Sequence, residues 1–301
     1  MIDVSIVIVN YNTLELTRDT INSVVQKTKG LQYEIILVDN CSIDGSREFF
    51  ENIFDKEIHF IKSDENIGFG RANNLGIDIA KGEKIFFLNP DTILINNAIK
   101  ILYNFMQNNL ECGVCGGNLY TRDMKPNHSF RKRAHSLFTE IRDCFNLYEK
   151  ISFYFFNKRK DFNYTNKNIE VGYIIGADMM VSKSVIDKVG GFDKDIFMYY
   201  EDVELSCRIK KQGLKIFNVP EAKIIHLEGQ SFIFKEERYR RQIQGKYMFF
   251  KKIYGMIDVQ LLCYITILKL LLKCCVTLKT DYLKMIRITI EEYKNLDKIN
   301  F

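Results

Sequence analysis

Four polar clusters in this sequence carry side chains that could do chemistry, and each follows a short apolar run. They are VNYN (9–12), VDN (38–40), LNPD (88–91) and HLEGQS (226–231). A carboxylate such as Asp91 can bind Mg²⁺ or Mn²⁺ together with phosphate oxygens, and Pro90 stiffens the chain before it. The imidazole of His226 suits Mn²⁺ or a phosphate, and Asp39 could accept the imino N–H of a pyrimidine. Read singly, NPD is a turn signal and a lone histidine is usually structural.

A fifth cluster, Glu201–Asp202, begins the predicted helix EDVELSCRIKKQG, which ends at Gly213. Negative charge is favoured at a helix N-terminus, so an acidic cap is the alternative to a catalytic role. Because neighbouring helical residues point about 100° apart, we expect one of the two carboxylates to face a reaction centre. There it would act as a base that removes the proton of an acceptor hydroxyl.

The glycine-rich stretch ENIGFGRANNLG (65–76) is similar to a dinucleotide-binding loop but breaks its order. That fingerprint follows the first strand and precedes a ribose-binding acid by about 20 residues. Here the acid, Asp39, comes before the glycines, and Asn73 stands in place of the third glycine. The order therefore argues against a nicotinamide-dependent oxidoreductase.

Alternating strand and helix patterns position these clusters. VSIVIVN, YEIILVD, IHFIK and KIFFLN are patterns of buried strands, and helical patterns lie between them at 13–28, 44–53 and 69–81. The alternation predicts an α/β fold with a mostly parallel, Rossmann-like sheet flanked by helices. Ligands bind beyond the carboxyl ends of such strands, where the polar clusters converge. Strand patterns return at GYIIGADMMVS, LKIFNV and AKIIH, and the chain is predicted to be helical from about 232.

Charge is distributed unevenly along the 301 residues, whose formal net charge is +5. Residues 122–160 carry 10 Lys or Arg against 4 Asp or Glu, and residues 231–301 carry 14 against 7. The remainder is acidic. Two basic segments on an acidic body predict an anionic partner, such as phospholipid or a lipid diphosphate, unless they are only solvated faces. We expect no nucleic-acid partner, because no motif for one accompanies the charge.

Cysteine usage and the first residues predict a cytoplasmic protein. The eight cysteines form no paired framework, and the CxxC of Cys112 and Cys115 is interpreted as core because no second pair accompanies it. The start, MIDVSIVIVN, is a strand pattern without the basic region of a signal peptide.

In this order the motifs resemble the bacterial family 2 inverting glycosyltransferases of the GT-A fold, most closely the rhamnosyltransferase-like branch. The resemblance covers roughly residues 3–250. It rests on SIVIVNYN, VDNCSIDGS, NIGFGRANNLG, LNPD, GADMMV, GGFDKDIFMYYEDVEL and HLEGQS. It implies a GT-A catalytic domain over 1–230, followed by a basic amphipathic helical tail over 231–301.

The resemblance also implies roles for individual residues. Asp202 would be the catalytic base. Asp91 and His226 would bind a Mg²⁺ or Mn²⁺ ion, since an asparagine replaces the first acid of the family's DxD motif. The residues implied at the donor are Tyr11, Asp39, Arg71 and Asn89. The residues implied at the acceptor are Ala177, Asp178 and Glu201.

We therefore expect a metal-dependent hexosyl- or rhamnosyltransferase of surface polysaccharide synthesis. It would move one sugar from a UDP- or dTDP-sugar to a hydroxyl of a glycan or lipid-linked saccharide. A nucleotidyltransferase is one alternative, but it would carry a Gly- and Lys/Arg-rich loop where VNYNTLELT stands. A non-catalytic nucleotide-sugar or glycan binder is the other, and the joint presence of Asp91, Asp202 and His226 weighs against it.

The tail contains VQLLCYITILKLLLKCCVTLK (259–279), whose longest uncharged stretch is about ten residues and too short to span a bilayer. Lys269 and Lys273 lie on one side of the predicted helix. The apolar stripe on another side consists of Leu261, Ile265, Leu268, Leu272 and Cys275. This pattern fits an interfacial helix on the inner face of the plasma membrane, and equally a helix packed on protein or on a second copy in a homodimer.

Overall fold

A computed structural model describes residues 1–52, 58–145, 159–227 and 235–296. The strands are β1 (Val4–Asn10), β2 (Tyr33–Asp39), β3 (Ile58–Lys62), β4 (Lys84–Leu88), β5 (Thr92–Leu94), β6 (Cys112–Tyr120), β7 (Phe130–Arg131), β8 (Ile169–Glu170), β9 (Tyr173–Ile174), β10 (Asp178–Ser182) and β11 (Lys215–His226). The helices are α1 (Leu14–Lys27), α2 (Ser46–Asn52), α3 (Phe69–Ile79), α4 (Ala98–Gln107), α5 (Leu137–Phe145), α6 (Lys183–Val189), α7 (Glu201–Lys211), α8 (Lys235–Ile253), α9 (Met256–Thr277) and α10 (Asp281–Asn295).

A nine-stranded sheet forms the centre of the fold, in the order β3-β2-β1-β4-β10-β6-β11-β5, with β8 beside β11. Strands β3, β2, β1 and β4 are parallel, and β6 and β11 are parallel to each other. Strand β10 runs antiparallel between β4 and β6. The predicted α/β fold with a mostly parallel sheet is confirmed. Because β10 is reversed, its first residue, Asp178, lies beside Leu88 at the carboxyl end of β4.

Helices cover both faces of the sheet because the strands are apolar on both. In β1, Ile6 and Ile8 pack with α1 and α4 on one face, whereas Val7 and Val9 pack with α3 and α7 on the other. Successive strand residues point to opposite faces, so a continuous apolar run fills two cores at once. This double burial holds the carboxyl ends of the strands rigidly at one edge.

The first C-terminal helix packs against the body that contains the sheet, and the boundary at residue 230 stays a prediction. Tyr247, Phe249 and Phe250 of α8 are fully buried, and they pack with Ile196 and Val203 of the segment around the start of α7. These aromatic rings remove a large apolar area from water and could not be exposed without a large loss of stability. Helix α8 is therefore packed as part of the same body as the segment around the start of α7.

Other elements differ from the patterns in the sequence. LKIFNV and AKIIH form one strand, β11, which changes register between Asn218 and Lys223 around Pro220. Proline has no N–H to donate to a ladder, so it is tolerated where pairing is interrupted. Cys112 and Cys115 are buried in β6, as expected of core residues. By length and composition α9 could cross a membrane, contrary to the expectation from its uncharged stretch alone.

Candidate active site

Strand register brings the polar clusters to one edge of the sheet. Asn10 pairs with Asp39 across β1 and β2, and Asn89 directly follows β4. His226 ends β11 and pairs with Thr92, the first residue of the antiparallel β5. The clusters thus converge beyond the carboxyl ends of the strands, where ligands bind in open α/β sheets. Residues 228–231 of HLEGQS lie outside the described residues.

Asn89, Asp91 and His226 form a contiguous polar group at this edge. Nε2 of His226 lies 3.3 Å from Oδ1 of Asp91 and 3.3 Å from Nδ2 of Asn89. The backbone supports the group, because the N–H of Leu227 donates to the carbonyl of Asp91 (2.9 Å) and the hydroxyl of Thr92 donates to that of Asn89 (2.8 Å). The side chains of Asp91 and His226 are 14% and 9% exposed, so the group opens only narrowly to solvent.

This group fits a divalent cation that is shared with a diphosphate. Within the described ranges, the buried Oδ1 atoms of Asn89 and Asp91 accept no hydrogen bond of good geometry. A buried acceptor without a donor is costly, and a ligand could satisfy it. No group of three or more His, Cys, Asp or Glu side chains is placed to hold a metal in the described part of the chain. Asp91 and His226 would therefore share the ion with phosphate oxygens and water, as Mg²⁺ sites commonly do.

Asp39 is fully buried and already has three protein donors. Its Oδ1 accepts a hydrogen bond from Nδ2 of Asn10 (2.9 Å), and its Oδ2 accepts from the N–H of Ser42 (3.1 Å) and Nε of Arg47 (2.8 Å). A nucleobase would have to join or displace these donors, and Arg47, whose side chain is 26% exposed, is the one that reaches solvent. Tyr11 is exposed at the end of β1. Pyrimidine binding by Asp39 and Tyr11 stays a prediction.

The carboxylate of Asp202, at the start of α7, is held by backbone amides. Its Oδ2 accepts the N–H of Gly176 (2.9 Å), and its Oδ1 accepts the N–H of Val203 (2.8 Å). Burial raises the pKa of Asp202, and these two donors oppose the rise. The preceding Tyr199 and Tyr200 both have left-handed backbone angles, with φ of 66° and 72°. Such angles are rare for bulky residues, and strained turns of this kind cluster at functional sites.

Glu201 is buried beside Asp202, and its Oε2 has no hydrogen-bond partner among the described residues. Burial and then the neighbouring charge of Asp202 raise the pKa of Glu201 to about 8. Glu201 is therefore mostly neutral at pH 7, whereas Asp202 has amide donors that stabilise a charged carboxylate. This difference favours Asp202 over Glu201 as the base.

The loop that leads to Asp202, residues 190–200, is fixed from both sides. The side-chain amide of Asn74 on α3 donates to the carbonyl of Phe192 (2.8 Å) and accepts its N–H (2.8 Å). Arg208 on α7 donates to the three carbonyls of residues 189–191. Asn74 lies in the glycine-rich stretch, so that stretch positions the loop before Asp202.

A buried polar network lies close to Asp202. The Nε2 atom of His135 and the hydroxyl of Tyr173 are 2.8 Å apart, and Nδ1 of His135 lies 3.2 Å from Oε1 of Glu140. Lys246 on α8 donates to Oε2 of Glu140 (2.6 Å). Burial alone would raise the pKa of Glu140, but His135 and Lys246 lower it to about 2. Burial and then the charge of Asp202 raise the pKa of Tyr173, so the network is within electrostatic reach of Asp202.

The remaining predicted residues are placed less favourably for direct contact with a substrate. Ala177 and Asp178 are fully buried, and Oδ2 of Asp178 accepts the N–H of Gly117 (2.6 Å). Burial raises the pKa of Asp178 well above its usual range. Direct side-chain contact of this pair with an acceptor is therefore not supported. Nε of Arg71 donates to the carbonyl of Lys194 (2.7 Å), so its approach to a diphosphate stays a prediction.

Several residues that support the site were not found from the sequence. Arg47, Asn74 and His135 make single specific contacts with Asp39, Phe192 and Tyr173, and no local pattern predicts these contacts. Asn10 stands at a strand end in VNYN, where its position was a usable signal. Gly245 was the clearest missed signal, because an isolated glycine in a helical pattern usually has a packing reason. A Cβ there would overlap the carbonyl oxygens of residues 198 and 199.

Comparison with known proteins identifies relatives of this chain. The family model described as "Glycosyl transferase family 2" matches residues 5–190. The low-salt glycan biosynthesis hexosyltransferase of Haloferax volcanii is 27% identical over 229 residues, which are 74% of this chain and 67% of that protein. The dTDP-rhamnosyl transferase of Shigella flexneri is 26% identical over 233 residues, which are 75% of this chain and 70% of that protein.

A solved structure with the same fold is the mannosyltransferase of Pyrobaculum calidifontis in complex with GDP-Man and Mn²⁺. It superposes with a TM-score of 0.61 at 13% identity, over 97% of this chain and 86% of that one. At this identity the likeness concerns the fold alone.

Proposed function

This chain belongs to glycosyl transferase family 2 and has the GT-A fold, and we propose that it is an inverting, metal-dependent hexosyl- or rhamnosyltransferase. Within the family it falls in the rhamnosyltransferase-like branch. The donor would be a UDP- or dTDP-sugar. The acceptor would be a hydroxyl of a glycan or lipid-linked saccharide in surface polysaccharide synthesis.

One observation carries this proposal, and it is the short backbone link between the two halves of the site. The N–H of Asn89 donates to the carbonyl of Ala177 (3.0 Å), and the N–H of Gly176 donates to Oδ2 of Asp202 (2.9 Å). Residues 176 and 177 therefore connect the Asn89–Asp91–His226 group to the carboxylate of Asp202. A donor held at the first and a base at the second would therefore be joined by one short stretch of backbone.

The donor side would rest on Asp91 and His226, with Asn89 available to the ribose or the sugar. A divalent cation bound there would neutralise the negative charge that the leaving nucleoside diphosphate gains. The narrow opening of the group would limit competing water near the diphosphate. Because that charge is largest in the transition state, its stabilisation would accelerate transfer more than it tightens donor binding.

Asp202 would complete the transfer as a general base. The acceptor oxygen attacks the anomeric carbon from the face opposite the diphosphate, and a new carbon–oxygen bond forms as the bond to the diphosphate breaks. The acceptor proton passes to Asp202, which must therefore be charged beforehand. The amides of Gly176 and Val203 orient the carboxylate and leave lone pairs for the incoming proton.

A nucleotide-release assay tests the proposal. A panel of UDP-, dTDP- and GDP-sugars would be incubated with the protein in Mn²⁺, in Mg²⁺ and in EDTA, and the freed diphosphate measured. We expect slow release from a subset of UDP- or dTDP-sugars that EDTA suppresses. Binding without release from any donor would instead identify a non-catalytic binder. In a parallel incubation with nucleoside triphosphates and sugar 1-phosphates, release of inorganic pyrophosphate would identify a nucleotidyltransferase.

A further inference from the structure

Helix α9 has two apolar faces, and the fold covers one of them. The covered face packs on the neighbouring helices α8 and α10. Its buried residues are Val259, Leu262, Cys263, Thr266 and Leu270. A single stripe of this kind is what a helix on a protein surface needs, so the opposite face is not required for the fold described.

The opposite face of α9 is large, apolar and exposed. It consists of Ile257, Leu261, Tyr264, Leu268 and Leu271, which are between 43% and 74% exposed. These residues recur at alternating spacings of four and three, so they form one line about 20 Å long. Apolar residues scattered singly on a surface are normal, whereas a continuous line marks an interaction site.

A second helix, α5, also carries exposed apolar residues beside α9. Helix α5 packs against α9 and exposes Phe138 and Ile141. The hydroxyl of Tyr254, just before α9, donates to the carbonyl of His135, just before α5 (2.6 Å). The two helices are therefore held together, and we call their exposed apolar residues the α9–α5 face. His135 also belongs to the network near Asp202, so this face is fixed relative to the candidate base.

Hydrogen bonds between α8 and α10 oppose a position in which α9 spans a bilayer. Arg240 on α8 donates to Glu291 (3.2 Å) and to Glu292 on α10, and Gln244 donates to Glu292 (2.8 Å). These contacts lock the helices on either side of α9 to each other. A spanning α9 would break this network or carry it into hydrocarbon, and buried charges there cost several kcal/mol. The geometry therefore fits a helix that lies in the plane of an interface.

Charge around the α9–α5 face decides between two occupants. The segments that carry the face are both basic, with 10 Lys or Arg against 4 Asp or Glu in 122–160 and 14 against 7 in 231–301. A second copy docked on this face would bring like charges together, which disfavours association. A bilayer with anionic lipids presents hydrocarbon to the apolar line and negative charge to its flanks.

We propose that the α9–α5 face docks on an anionic lipid bilayer, with α9 in the plane of the surface. Docking itself is independent of the transfer reaction. A second consequence rests on the proposed function. Because the docked face is tied to Asp202 through His135, docking would bring a lipid-linked acceptor close to this residue.

A tryptophan reporter tests docking directly, because the chain contains no tryptophan. Leu268→Trp places the probe on the α9–α5 face, and Leu110→Trp places it on an exposed site after α4. With phosphatidylcholine–phosphatidylglycerol vesicles, the emission of Leu268→Trp should shift to shorter wavelength and be quenched by brominated lipid. Leu110→Trp should show neither change. An unshifted Leu268→Trp emission would overturn the proposal.

Flotation with matched variants separates docking from dimerisation and from catalysis. Leu261→Gln/Leu268→Gln should lose most of the wild-type flotation with anionic vesicles, whereas the control Val25→Gln/Leu110→Gln, also exposed, should keep it. Both variants should keep nucleotide release in solution, so failure of the proposed function would appear separately. Equal flotation of the two variants contradicts the proposal. The proposal is also contradicted by the following combination: the wild-type protein is a dimer, Leu261→Gln/Leu268→Gln is a monomer, and the wild-type protein does not bind vesicles.

Discussion

Nε2 of His226 lies 3.3 Å from Oδ1 of Asp91, at the point where β5 and β11 pair antiparallel. The two residues are distant in sequence and meet only because β5 folds back along the end of β11. The carbonyl of Asp91 also accepts the N–H of Leu227, so backbone and side chains hold the same junction. A ligand that uses one residue of this pair must therefore contact the other, and we expect them to act as a unit.

The first prediction concerns diphosphate binding by this pair. Asp91→Asn removes the charge but keeps the shape, so it should weaken UDP binding in Mn²⁺ by at least about tenfold. Binding in EDTA should not change, because the lost interaction passes through the ion. Calorimetric titration of UDP measures both. Asp44→Asn is the control, since Asp44 at the same edge only accepts hydrogen bonds from Leu14 and Ser46. Equal weakening in EDTA would contradict metal binding by Asp91.

The second prediction concerns the base. Asp202→Asn cannot accept the acceptor proton, so kcat should fall by about 10²-fold or more while the donor Kd stays within a few fold. Burial raises the pKa of Asp202, and only the charged form is active. Activity should therefore fall on acidification at a pH above the ordinary range of an aspartate. Lost donor affinity with normal turnover would remove Asp202 from this role.

The third prediction uses the raised pKa of Glu201. Its pKa is about 8 in the folded protein and 4.5 in its ordinary state, so folding binds a proton between these values. Stability contributed at this site is therefore lost as the pH rises from about 4.5 towards 8. Glu201→Gln should raise the unfolding free energy by roughly 1–3 kcal/mol at pH 8 and by little at pH 4. Denaturant unfolding at the two pH values measures the difference, and a variant less stable at pH 8 would contradict the assignment.

The fourth prediction has the opposite sign and concerns Glu140. Its folded pKa of about 2 lies below its ordinary value of 4.5, so its stabilisation is present above pH 4.5 and is lost as the pH falls towards 2. Glu140→Gln should cost about 2 kcal/mol at pH 7, because it leaves the ammonium of Lys246 without its partner. Glu237→Gln, which breaks the more exposed pair with Arg241, should cost less than about 1 kcal/mol. Equal losses of unfolding free energy in the two variants would show that the Glu140 network stabilises the protein no more than an exposed ion pair does.

The fifth prediction concerns Gly245, where α8 passes close to the turn before Asp202. Glycine to alanine normally stabilises a helix by about 1 kcal/mol. Here the added Cβ would overlap the carbonyl of Tyr199, so Gly245→Ala should destabilise the protein and displace the left-handed turn. The midpoint temperature of thermal unfolding and kcat should both fall. An ordinary helix-stabilising effect at full activity would show that α8 does not support the base.

The sequence predicted the part of the fold that short stretches of sequence specify by themselves, which is β1 to β4 and the polar residues at their ends. The apolar runs of β1 to β4 and the glycine-rich start of α3 predict a parallel sheet, and their ends predict where the polar residues meet. The reversed strand β10 was not predictable, because an apolar strand has the same pattern in either direction. Its reversal is what brings Asp178 beside Leu88 and sets Gly176 against Asp202.

Candidate residues could be predicted where the type of side chain itself suits metal binding or proton transfer. Residues that only position another residue could not be predicted. Asp91, Asp202 and His226 could be named as candidates because their side chains suit metal binding and proton transfer and their motifs stand in the order of the family, and their roles stay predictions. Asn74 could not, since its partner Phe192 is 118 residues away, and neither could the contact of His135 with Tyr173, which is 38 residues away. The burial of Asp178 was missed for the same reason: a carboxylate in a motif looks functional until its surroundings are known.

The contact between Gly245 and the turn before Asp202 also bears on how the enzyme is made. The ribosome releases the chain from its N-terminus, so β1 to β4 and the Asp91 segment emerge first. The turn that carries the base receives its support only when α8 has been synthesised and has folded back. Transfer activity would therefore appear only after α8 has left the ribosome, well after the Asp91 segment has been synthesised.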